Sequence, residues 1–163
     1  MTNKSEPTRH NDHSAQADLT VLYDILQAAC TSLVPEEICH RIARTLAETG
    51  GYPLATVGLR DGDDFRVFRS THNEVTAATS IQERVLQAGA PQFVQDVRAE
   101  PGYVAAARDV VTEIGVPIRW DKEIAAVLSV SGTPPRPLTS RDFQLLQTLG
   151  RQTVPILKNA FAH

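Results

Sequence analysis

The sequence predicts an α+β domain built around one antiparallel sheet. Three observations carry that expectation: apolar residues at helical spacing near both chain ends, short strand-like segments between them, and turn sequences that join those segments in pairs. Leu19, Leu22, Tyr23, Leu26, Ala29, Cys30 and Leu33 recur at three and four residues and predict a first helix from Ala17. Pro35, followed by Glu36 and Glu37, restarts a second. Proline suits the first helical position, and acids suit the positive end of the helix dipole. Ile38, Ile42, Ala43 and Leu46 continue this helix, and Gly50 and Gly51 end it.

The period then changes. Residues 54–59 and 65–70 read as strands around a turn at 60–64 that contains Gly62. Residues 81–88 return to a short helix and 90–97 to a strand, followed by a turn at 99–102 and a brief helix at 105–108. Residues 110–118 and 122–131 form a last hairpin across 119–121. Thr139, with Asp142 three positions on, caps a final helix along Phe143, Leu146, Leu149, Thr153, Leu157 and Ala160. Pro155 lacks a backbone donor and is expected to kink or shorten that helix near Arg151.

Composition narrows the class without giving an activity. The 163 residues match one domain, and 42% apolar with 21% charged residues is ordinary globular usage. A chain this long buries about 70% of its unfolded surface, enough to fold without metal or disulfide. Sixteen basic against 19 acidic residues leave −3, with no basic cluster, so nucleic-acid binding is not expected. No apolar run approaches the ~20 residues that cross a bilayer, and the N-terminus lacks the apolar core of a secretion signal. Cys30 and Cys39 read as reduced thiols, and a cytoplasmic location is expected. Residues 1–16 hold almost nothing to bury and read as a disordered tail ahead of a single domain over 17–163. His10 and His13 share helical spacing, but a tail would have to order itself to use them, so no metal is expected. Cys39 and His40 point about 100° apart on a helix and cannot grip a metal together.

Three segments resemble the GAF family of small-molecule-sensing domains. Residues 88–97, with Gly89, Pro91 and the pair Asp96-Val97, look like the entry to its third strand. Residues 113–118 and 123–130 look like its central hairpin, with Ala126 where the family usually has Gly. Residues 137–146 look like its closing helix. The resemblance covers roughly residues 17–161. It implies a GAF/PAS-like antiparallel sheet of five or six strands, helices from both termini on one face, and a ligand pocket on the other under loops around 72–110.

Strand alternation sorts the side chains independently of that likeness. Ile124, Ala126, Leu128 and Val130 share one face with Ile114, Val116 and Ile118. Ala125, Val127, Ser129 and Ser131 share the other with Glu113, Gly115 and Pro117. The first set is bulky and apolar. The second is small or polar, suited either to a pocket floor or to a solvated face. On the pocket reading Glu113, Ser129 and Ser131 converge as ligand contacts, with Tyr103 and Asp96 at the rim; Asp96 fits a turn cap equally well.

One branch of the family, the free methionine sulfoxide reductases, is catalytic and requires a cysteine thiolate. Residues 101–107 resemble its cysteine-bearing stretch, but Ala106 stands at the cysteine. Ser129 and Ser131 stand where that branch carries two aspartates, while Glu113 retains the acid. Tetrapyrrole attachment would also need a pocket cysteine, non-covalent haem would need a ligand such as His72, and the family's cyclic-nucleotide signature is absent. The expectation is therefore a non-catalytic sensory domain without cofactor. It would bind a small polar or amphipathic molecule and signal through a partner or a homodimer formed by the N- and C-terminal helices. The alternatives are an interaction module with an empty pocket and a redox enzyme resembling the reductases.

Overall fold

The computed structural model describes the backbone of residues 9–70 and 78–162, and their side chains except for 9–17 and Ala28. Helix α1 (Arg9–Ala29) begins before Ala17, so helical backbone reaches into the segment read as a tail. His10 and His13 fall on undescribed side chains, and His72 lies outside the described residues. The buried line of α1 is Val21, Ile25 and Ala29, four residues apart, while Leu19 and Tyr23 face solvent. The stripe expected from sequence is thus rotated: α1 carries apolar residues on two faces, and only packing selects one.

Helix α2 (Pro35–Glu48) starts at its proline with both acids in the first turn, and buries Ile38, Cys39, Ile42, Ala43 and Leu46. Strands β1 (Leu54–Asp61) and β2 (Asp64–Arg69) pair around Gly62 and Asp63, with Gly62 at φ 60°. Only a residue tolerant of the left-handed region fits so short a connection. Helix α3 (Ser80–Ala88) opens where the Thr79 N–H donates to Gln82 Oε1 at 3.0 Å, and Gly89 closes it at φ 65°. Strand β3 is only Gln92–Val94, because Asp96 caps a single 3-10 turn at Val97–Ala99. The brief helix expected at 105–108 is a bend and turn instead. Strands β4 (Thr112–Trp120) and β5 (Glu123–Gly132) form the central hairpin. Helix α4 (Ser140–Ala162) starts at Thr139, whose N–H donates to Asp142 Oδ2 at 2.8 Å. It runs through Pro155 without ending near Arg151. Pro155 is exposed, so water can take up the carbonyl that loses its donor.

The five strands form one antiparallel sheet in the order β2-β1-β5-β4-β3. The main core joins α1, α2 and α4 to Ala55, Val57 and Leu59 of β1, Ile114, Val116 and Ile118 of β4, and Ala126, Leu128 and Val130 of β5. Helix α3 takes the opposite face, through Ile81 against Val94, Val97 and Val110, and through Val85 against Ile124 and Val127. Ile124 therefore changes sides relative to strict alternation. Ile118 pairs with Ala126 but Arg119 with Ile124, so Ala125 is an extra residue that shifts the register. Such a bulge re-aims the residues beyond it. Among the described residues, no helix is long and apolar enough to cross a membrane.

Seating α3 depends on Gly115. A Cβ there would lie 2.8 Å from Val85 Cγ2 and 2.9 Å from Ile81 Cγ1. Gly115→Ala is expected to lower stability in urea denaturation by about 1–3 kcal/mol, the range for overpacking a close contact; an unchanged midpoint would show that α3 adjusts freely.

Candidate functional site

On the α3 face, sheet register lines up Thr56, Ser129 and Gly115 across β1, β5 and β4. The missing side chain of Gly115 admits α3, and α3 brings Gln82, fully buried, over this row. Gln82 Nε2 donates to Thr56 Oγ1 at 3.1 Å, and the hydroxyls of Thr56 and Ser129 bond each other. A buried amide left unpaired would cost about 1–3 kcal/mol, so this chain of bonds is what makes the contact tolerable. Ser129 is thereby committed to the protein itself. Thr56 and Gln82 escape sequence reasoning: the Thr79–Gln82 spacing marks a helix start, but nothing local indicates that the start is buried.

Glu113 lies two residues along β4 from Gly115, on the same face, with Ser131 and Val94 opposite it on the neighbouring strands. It is fully buried. Its Oε1 accepts the Ala106 N–H at 2.7 Å and has the Ser131 hydroxyl within 3.5 Å, while its Oε2 accepts the Tyr103 hydroxyl. Burial pushes the carboxyl pKa upward. The bonds from Tyr103, Ala106 and Ser131 and the positive charge of Arg69 pull it back, and burial prevails. The Tyr103 phenol moves up as well, first through its own burial and then through the Glu113 charge. Arg84 sits 5.1 Å from the Tyr103 ring centroid and is paired with Glu100 at 2.9 Å. The acid and the tyrosine thus fasten the 103–106 segment to the sheet.

Asp96 does not join them. Its Oδ1 accepts the Arg98 N–H at 3.0 Å and Arg98 Nε at 3.1 Å, and these bonds hold its pKa below the usual carboxylate range. Of the five residues singled out from sequence, Tyr103, Glu113 and Ser131 meet in one cluster, Ser129 sits in the adjoining one, and Asp96 caps a turn.

The open space lies outward of this closed group. A cleft of about 330 Å³ is lined by Arg69, Ala78, Thr79, Ser80, Glu83 and the 104–106 segment. That is the size of a small-molecule site. Arg69, opposite Thr56 in register, has its Nε buried with no hydrogen-bond partner, and its Nη1 reaches the Ala106 carbonyl at 3.4 Å. Among the described residues, no group of three or more His, Cys, Asp and Glu side chains could hold a metal. Both cysteines sit on the far layer. Cys39 is on the core-facing side of α2, where burial pushes its thiol up to about 12. Cys30 is exposed, beside Pro155 and Ile156 of α4.

A family model described as GAF domain matches residues 32–158. The fold is similar to that of a free methionine-R-sulfoxide reductase from Neisseria meningitidis, at TM-score 0.76 and 18% identity over 90% of this chain and 93% of that one. It is also similar to the GAF domain of a phosphoenolpyruvate-protein phosphotransferase from Acinetobacter, at TM-score 0.72 and 16% identity over 88% and 94% of the two chains. The corresponding domain from Coxiella burnetii gives TM-score 0.74 and 15% identity over 91% and 96%. No curated protein matches by sequence. At these identities the likeness to solved structures is one of fold.

Glu113→Ala strands the Tyr103 hydroxyl and the Ala106 N–H, and is expected to cost about 1–3 kcal/mol of stability. Glu113→Gln keeps the shape without the charge. The folded pKa of Glu113 lies above its ordinary value near 4.5, so wild-type stability from this group is full below that value and falls as pH rises towards the folded pKa. Thermal melts from pH 4 upward should show Glu113→Gln gaining on wild type across that window; parallel curves would mean the carboxyl is not held in the stated environment.

Proposed function

The chain belongs to the GAF domain family, and on that footing we propose that it is a non-catalytic sensory domain whose ligand enters the cleft between β2, the start of α3 and the 104–106 segment. One observation carries the reading: an open cleft of about 330 Å³, lined by both polar and apolar side chains, abuts the buried Glu113 cluster, which fixes one of its walls through Ala106. A molecule there touches α3 and the 103–106 segment together, and both rest on the central hairpin. Differential contact with those elements is the physical means by which a ligand shifts a domain between states.

The position of the thiols supports regulation over redox catalysis. Attack on sulfur needs a thiolate beside the substrate. The Cys39 thiol, at about 12, stays protonated at neutral pH, and both cysteines lie with the helix layer on the opposite side of the sheet from Glu113. At Ala106, on the cleft wall, there is only a methyl group.

The signal leaves through the terminal helices, which serve as a homodimer seam. Leu19 is 65% exposed and Tyr23 63%, one helical turn apart on α1 beside the start of α4, and at the far end of α4 Phe161 is 47% exposed; the monomer leaves these apolar side chains uncovered. The same surface favours the second reading, an interaction module whose cleft stays empty.

Two measurements separate these readings. In a thermal-shift screen of metabolites, at least one compound should raise the wild-type melting temperature in a concentration-dependent way; a ligand at 100 times its Kd adds about 2.7 kcal/mol. Ala78→Phe, which fills the cleft, should lose that shift. A flat screen, with Ala78→Phe indistinguishable from wild type, would overturn the sensor reading. For the seam, light scattering should give twice 17.8 kDa for wild type and the single mass for Leu19→Glu combined with Tyr23→Glu. A monomeric wild type would remove the proposed route for the signal.

A further inference from the structure

We infer that the cleft selects an anion, a small carboxylate or phosphate, and that Arg69 is the residue that reads it. This rests on the ligand-binding reading of the same cleft and adds the chemical class. Arg69 stands at the end of edge strand β2 and forms part of the cleft wall. A guanidinium carries five N–H donors in a planar fork, and the structure occupies them poorly. Nε is buried with no partner, and the bond from Nη1 to the Ala106 carbonyl, at 3.4 Å, is longer than the 2.7–3.2 Å of an ordinary N–H···O bond. A buried donor without a partner is costly, and natural structures keep few of them. Buried Nε is out of a ligand's reach, but an oxyanion seated against this wall would meet the terminal guanidinium donors that the 3.4 Å contact to Ala106 leaves poorly used.

The neighbouring charges leave that role open. Glu113 is the carboxylate whose field Arg69 feels, yet its oxygens accept from Tyr103, Ala106 and Ser131, so it makes no fork with Arg69. Arg84, the other cation against the 103–106 segment, is held by Glu100 at 2.9 Å. Glu83 also lines the cleft, but it is exposed on the outer rim where water screens it. Ser80 adds a donor: its Oγ accepts the Val104 N–H at 2.9 Å, which leaves the hydroxyl proton for a ligand oxygen. Carboxylate and phosphate both match a guanidinium two bonds at a time, whereas an amine would set a second cation beside the first.

The test is calorimetric titration of the 163-residue chain at constant ionic strength with succinate, inorganic phosphate, neutral succinamide and cationic 1,4-diaminobutane. Succinate or phosphate should bind and raise the melting temperature, and comparison of the two separates carboxylate from phosphate recognition. Arg69→Gln should weaken that binding about tenfold or more, the worth of a hydrogen-bonded charge, and Arg69→Lys should fall between. If neither anion binds wild type, or Arg69→Gln binds as well as wild type, the inference is wrong. Should succinamide or diaminobutane alone bind, and Ala78→Phe abolish it, the anion assignment falls while the ligand-binding reading stands. If none of the four binds and the broad metabolite screen is also flat, both fall. If Arg69→Gln does not fold, the wild-type titration still decides the anion class, and Arg69→Lys decides the residue: anion binding equal to wild type there, or retained in Ala78→Phe, overturns the assignment to Arg69 and this cleft.

Discussion

A carboxyl group inside a protein must either receive hydrogen bonds or give up its charge, and the α3 side of this domain is organised by how Glu113 meets that demand. Around Glu113 strand β4 is paired on both sides, with β3 and with β5, so its backbone there is already engaged. The bonds come instead from Tyr103 and from the backbone of Ala106, in the connection between β3 and β4. A segment without helix or strand of its own is thereby tied to the centre of the sheet. The tie also places the Ala106 carbonyl beside Arg69, so one buried acid sets the wall of the cleft and the surroundings of its cation.

The two faces of the sheet differ in the size of their side chains, and the layers follow from that difference. Branched residues on β1, β4 and β5 fill the space beneath α1, α2 and α4, where packing at interior density needs bulk. On the other face Gly115 opposite Ser129 and Thr56 leaves a shallow floor, on which a single helix can settle close to the backbone. That closeness has a polar consequence. Thr56 and Ser129 lose access to water, and Gln82 from the descending helix completes their bonding. The bulge at Ala125 gives α3 an apolar rest at its far end by turning Ile124 towards Val85.

Architecture and site chemistry thus come from different parts of the molecule. The family model spans α2 to α4, and similar folds accompany reductases in some solved structures and domains of phosphotransferase proteins in others. A fold shared so widely says little about ligand or reaction. The chemistry of this chain's cleft comes from an arginine on an edge strand, a methyl group at Ala106, and an acid already occupied by its own chain.

The order of the elements was legible in the sequence because each is announced locally. Pro35 and its acids open α2, Gly62 turns the first hairpin, the Thr139–Asp142 pair caps α4, and alternation in β4 and β5 separates bulky from small residues. The meeting of Glu113 with Ser131 was legible too, since cross-strand neighbours follow from register. Other features depended on contacts between residues far apart in the chain. Which of the two apolar faces of α1 is buried depended on α2 and α4, and sequence favoured Leu19 where packing chose Val21 and Ile25. One extra residue at Ala125 moved Ile124 to the other side, which a period of two cannot anticipate. The sequence by itself determined the succession of helices and strands, because caps, turns and periodicity act over a few residues. Only the tertiary structure decided that Glu113, Ser129 and Ser131 are closed by Tyr103, Ala106, Thr56 and Gln82 while the Nε of Arg69 keeps no partner, because a buried polar group's partner is fixed by whichever distant segment folds against it.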